Sequence, residues 1–120
     1  MPAGKGEKRK NAPFMDKIPF IISIILSNVY VDVIQKVYLF GSYANGNPDD
    51  SSDIDLFMIV DDDANRLEIY ASTKMLLTDN GIFPCDLIVS REKEFNRGLA
   101  ISPRGIENTV KSNGKILYER

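Results

Sequence analysis

Asp53 and Asp55 stand two residues apart at the head of an apolar run, DIDLFMIV (53–60), and Asp86 opens another, CDLIVS (85–90). Side chains two apart on a strand point to the same face, so Asp53 and Asp55 project together with their carboxylates close. Two anions so placed repel one another, and a cation between them makes the pair tolerable at neutral pH. Hard oxygen ligands select Mg²⁺, with Mn²⁺ as the alternative. If the strand of Asp86 lies beside that of Asp55, a third carboxylate joins the same face. Three carboxylates on adjacent strands can hold two metal ions about 3.5–4 Å apart, which clamp the attacking and leaving oxygens of a phosphoryl transfer. Gly41 and Ser42 supply the complementary half. A glycine at a strand end lets a phosphate approach the backbone, and the residues after it can open a helix whose free N–H groups, with the Ser42 hydroxyl, hold a triphosphate. Gly46 frees the turn back to the second strand.

Each residue also has a plainer reading. A Gly-Ser turn alone is common, and Asp53 and Asp55 alone could cap a helix or belong to a turn. A calcium loop would require a glycine and a terminal glutamate that this stretch lacks. Asp61, Asp62 and Asp63 read as a solvent-facing helix N-terminus, favoured by the helix dipole. Cys85 alternates away from Asp86 and reads as a small core residue. Tyr38, Tyr70 and Tyr118 read as packing residues, whereas Tyr43 lies close enough to the motif to neighbour a nucleotide.

Composition narrows the chemistry further. The 120 residues contain no histidine, which removes His-dependent acid–base catalysis, Ser-His-Asp triads and most zinc sites from this chain. A single cysteine excludes an intrachain disulfide and fits a reducing, cytoplasmic compartment. The net charge of −2 argues against nucleic-acid binding by the general surface. Lys5, Lys8, Arg9 and Lys10 form a basic arm over residues 1–13 that reads as disordered, ahead of one domain over 14–120. Ser23, Ser27, Asn28 and Asp32 interrupt the run that begins IPFIISIIL well short of the roughly 18–20 apolar residues of a membrane span, so it reads as a buried helix.

The elements that must position these residues follow from periodicity and punctuation. Ile18, Ile22, Ile25 and Val29 recur at helical spacing and predict a helix from about Asp16 to Val31. KVYLF (36–40) reads as a strand stopped by Gly41, NGNPDDSS as a turn, and DIDLFMIV as a central strand covered on both faces. The stretch from Asp61 to Gly81 predicts a second helix with aspartate caps and a glycine stop. A third strand spans 84–90, and the remainder gives one or two helices and a last strand at KILYE. The result is an α+β fold: a small mixed β-sheet with helices packed on it.

The motif GS, ten intervening residues from Tyr43 to Ser52, then DID, with Asp86 further on, resembles the signature of the DNA polymerase beta nucleotidyltransferase superfamily. Length and the ending NGKILYE are similar to its minimal (MNT-type) branch, over approximately Val33 to Glu119. The resemblance implies a polymerase-beta-like fold in which Gly41 and Ser42 bind the triphosphate, with Tyr43 and Asn45 beside it. It further implies that Asp53 and Asp55 hold both metals, and that Asp86 holds one metal while activating the attacking hydroxyl. Many relatives carry arginine where this chain has Asn45, a lost cation beside the phosphates. Members of this branch are often antitoxins partnered by HEPN ribonucleases, and some transfer AMP to a tyrosine of that partner. The reading is therefore a Mg²⁺-dependent transfer of AMP from ATP to a partner hydroxyl, since 120 residues leave no room for an acceptor domain. A partner or a second copy, as in a homodimer, would complete the site. The alternatives are nucleotidylation of a small hydroxyl compound by a stand-alone enzyme, and an antitoxin that only covers its toxin.

Overall fold

The computed structural model describes residues 18–41 and 53–120. The basic arm, Ser42, Tyr43, Asn45 and Gly46 lie outside the described residues.

Helix α1 spans Ile18–Leu26 and buries Ile21, Ile24 and Ile25, three positions of one helical face. It ends five residues before the predicted Val31. Local side-chain bonds take over from the helical ladder there: Ser27 Oγ donates to Ile24 O at 2.8 Å and Asn28 Oδ1 accepts from Tyr30 N at 2.8 Å. A 3₁₀ turn over Val31–Val33 then leads into β1, Ile34–Phe40, which starts two residues earlier than the sequence suggests.

β2 covers Ile54–Val60, α2 Arg66–Asp79, β3 Cys85–Arg91, α3 Glu92–Ile101, α4 Ile106–Asn113 and β4 Lys115–Glu119. The four strands form one mixed sheet in the order β3-β2-β1-β4, with β2 and β3 parallel and the other pairs antiparallel. Helix α2 is the crossover that a parallel pair requires. The period of two divides the sheet between two cores. Val37, Leu39, Ile54, Leu56, Met58 and Val60 face the cluster built with Ile21, Ile24 and Ile25 of α1 and Ile69 and Leu77 of α2. Tyr38, Phe57 and Ile59 face the other way, onto Phe95 of α3 and Val110 of α4. The Phe95 ring lies 5.5 Å from that of Phe57 and 6.5 Å from that of Tyr38.

The three aspartates after β2 do not cap α2. Asn65 does, its side chain accepting from Glu68 N at 3.2 Å. Asp61 instead holds the Arg120 guanidinium at 3.0 and 3.1 Å and accepts from Gln35 Nε2 at 2.8 Å, which keeps its carboxyl below the ordinary range. Asp62 caps a helix, but a different one: its Oδ1 accepts from Lys93 N in the first turn of α3 at 2.8 Å. Asp63 is exposed. Gly81 follows α2 with φ 79°, a conformation open to glycine. Among the described residues no helix is long and apolar enough to cross a membrane.

Candidate active site

Parallel pairing of β2 with β3 sets Asp55 directly beside Asp86, and antiparallel pairing of β1 with β2 sets Phe40 on the other side of Asp55. Phe40, Asp55 and Asp86 therefore form a row across three strands. By the period of two, Asp55 shares the face of Phe57 and Ile59, and Asp53, one residue before β2 begins, lies near enough for its charge to act on Asp55. Helices α3 and α4 cover that face further along the strands. At this end Asp53 and Asp55 are half-buried and Asp86 is exposed.

Burial and like charges act together on the central carboxyl. The Asp55 carboxyl is pushed up to about 6, first by burial, then by the Asp86 charge and by the hydrogen bond between the two carboxyls, with a smaller push from Asp53. The pair Asp55–Asp86 is in direct contact, and Asp53 acts on it through space.

Gly41 closes β1 with φ 75°, and a Cβ at this position would collide with Asp55 Oδ2. The absent side chain is what makes room for the Asp55 carboxyl, a role the sequence did not disclose. Cys85, one residue before Asp86, points to the opposite face and is buried in the core, and burial pushes its thiol up to about 11. It is a packing residue, as its alternation predicts. Sequence reasoning passed over Lys74 of α2, whose Nζ donates to the carbonyl of Cys85. No local pattern signals this contact, which exists because α2 packs on β3.

Among the described residues, no three His, Cys, Asp or Glu side chains converge into a ready metal site. The residues present nevertheless fit a hard divalent cation. The donors are carboxylate oxygens, the Asp86 and Asp53 charges add to burial in raising the Asp55 carboxyl, and Gly41 keeps the backbone close without filling the space. A separate cleft of about 350 Å³, lined by Asp62, Arg91, Lys93, Glu94 and Arg97, opens at the opposite ends of β2 and β3 and has no part in this site. Ser42, Tyr43 and Asn45, assigned to the nucleotide from sequence, belong to the segment outside the described residues.

The family described as polymerase beta, nucleotidyltransferase matches residues 21–120. A Methanocaldococcus jannaschii chain described as a candidate protein adenylyltransferase is 34% identical over 93 residues, 78% of this chain and 87% of that one. Among solved structures, a toxin–antitoxin complex with AMP-PNP superposes with a TM-score of 0.54 at 24% identity, over 86% of this chain and 73% of that one. The complex of a tri-AMPylated Shewanella oneidensis HEPN toxin with an MNT antitoxin matches with a TM-score of 0.53 at 20% identity, over 87% and 71%. At these identities the two solved complexes share the fold.

Proposed function

The chain belongs to the polymerase beta nucleotidyltransferase family, as a minimal nucleotidyltransferase, and from that premise we propose that it transfers AMP from ATP to a hydroxyl of a HEPN-type toxin and thereby acts as its antitoxin. The observation that carries the reading is the Asp55–Asp86 pair, with Asp53 beside it, at one end of a sheet face. In the reaction the acceptor hydroxyl oxygen forms a bond to the α-phosphorus, the bond from that phosphorus to the β-phosphate bridge breaks, and pyrophosphate leaves. Asp53, Asp55 and Asp86 would hold Mg²⁺, which when bound supplies charge neutralisation and alignment for in-line displacement. Asp86, the exposed member of the row, is positioned to take the acceptor proton. Gly41 leaves the Asp55 carboxyl its space, and the assignment of Ser42, Tyr43 and Asn45 to the triphosphate and its surroundings is part of the proposal. The candidate adenylyltransferase and the AMPylated toxin complex support protein as the acceptor class.

The test mixes the protein, a HEPN partner, ATP and Mg²⁺ and reads the partner by intact-mass spectrometry. Stepwise gain of adenylyl units, abolished by Asp53→Asn, is the expected result. A toxin silenced equally well without ATP, or by the Asp53→Asn protein, would show that covering alone explains neutralisation. Modification of a small alcohol but never of the partner would assign the enzyme to a different acceptor.

A further inference from the structure

Among the described residues β3 is an edge strand of the sheet, bonded to β2 on one side only. Ile54 N donates to Pro84 O at 3.2 Å, so the Pro84 carbonyl points into the sheet. Successive carbonyls of a strand alternate in direction, which turns the next one, that of Cys85, toward the sheet edge, where none of the described strands stands to receive it. Lys74 Nζ donates to that carbonyl from α2. Lys74 is itself well placed: its neighbour Thr73 is fully buried and accepts a hydrogen bond from Asn28 Nδ2 at 2.9 Å, and Leu77, one turn on, is in the core. The peptide unit joining Cys85 to Asp86 is planar and rigid. A group that fixes its carbonyl therefore fixes the plane from which Asp86 departs.

We propose that Lys74 is a positioning residue for the transfer reaction: by anchoring the Cys85–Asp86 peptide from the edge of the sheet, it holds the Asp86 carboxylate in register with that of Asp55. The inference rests on the reading of Asp86 as part of the transfer site. The contact is part-buried at the sheet edge, where water can take the place of the lysine, so little folding stability depends on it. Alignment is less forgiving, because displacing a reacting group by about 1 Å can cost on the order of a hundredfold in rate.

Lys74→Met keeps the aliphatic stem and removes the donor, and Lys74→Arg restores one. With the full chain, Lys74→Met is expected to lose about tenfold in kcat for AMP transfer at unchanged KM for ATP, as typical outer-sphere substitutions do. Mn²⁺ affinity of the nucleotide-free protein, read by paramagnetic resonance titration, is expected to weaken by a similar factor. Lys74→Arg should recover most of both, with melting temperatures nearly equal across the three proteins. A Met variant that transfers AMP and binds Mn²⁺ like the wild type overturns the proposal. So does a Met variant that fails to fold, or one whose losses track a collapse in melting temperature, because the contact is then structural. A wild-type protein that neither binds Mn²⁺ nor transfers AMP refutes the reading of the site itself, a result distinct from either.

Discussion

Asp55 concentrates the electrostatics of the site in one side chain. Its folded value of about 6 stands above the ordinary 3.8, so between those limits the folded state binds more protons than the unfolded state. Stability from this group is thus fully present below the unfolded value and is lost as pH rises through about 6. In metal-free protein, the melting temperature of the wild type relative to Asp55→Asn should fall between pH 4 and pH 7, and thermal melts across that window check it; a flat difference would mean that Asp55 is not strained. Gly41 is the companion case. Gly41→Ala combines an L side chain at φ 75° with a collision at Asp55 Oδ2. About 1–3 kcal/mol of lost stability in urea melts is expected from the backbone alone. AMP transfer should fall further than stability, because the displaced carboxyl is the one in register with Asp86.

At the scale of elements, the helices are tied by polar groups that read in the sequence only as interruptions. Asn28 and Thr73, 2% and 0% exposed, join the end of α1 to the middle of α2, and the same Asn28 side chain accepts from Tyr30 N to stop the helix. Thr73→Val preserves shape but leaves the Asn28 amide without its acceptor. The expected loss is about 1–3 kcal/mol in equilibrium unfolding, since an unsatisfied buried donor forfeits its hydration. Because Thr73 precedes Lys74, the variant should also slow AMP transfer; an unchanged rate would separate the helix junction from the site. Asp62 ties α3 to the chain leaving β2 by capping Lys93 N. This contact fixes the end of the sheet remote from the carboxylates.

The described residues form a sheet with a core on each face and the Asp55–Asp86 pair at one end of one face. A ligand that binds only the folded state stabilises it by mass action, by about 2.7 kcal/mol at a hundred times its Kd. Millimolar ATP with Mg²⁺ should therefore raise the melting temperature, and Asp53→Asn should remove most of the gain. Absence of any shift in the wild type would count against the nucleotide site as a whole. Asp86→Asn should spare more of the shift than of turnover, because its proposed second role is to receive the acceptor proton.

Local periodicity carried most of what the chain discloses by itself. The apolar run in DIDLFMIV predicts a central strand covered on both faces with Asp55 at its head, and the apolar run after Asp86 predicts its neighbour; both strands are found, because a continuous apolar run reports burial on two faces directly. The Gly-Ser and DID spacing likewise points to the family that the comparisons establish. Tertiary structure decided the rest. The junction of α1 with α2 was set by whether Asn28 would meet Thr73, 45 residues away, and the fate of Asp61 by whether Arg120, 59 residues away, would reach it. That Gly41 clears space for Asp55, and that Lys74 meets the carbonyl of Cys85, depends on strand register and on the seat of α2 against β3. Such partners are chosen by packing across the fold, and a residue's own neighbours in sequence carry no record of them.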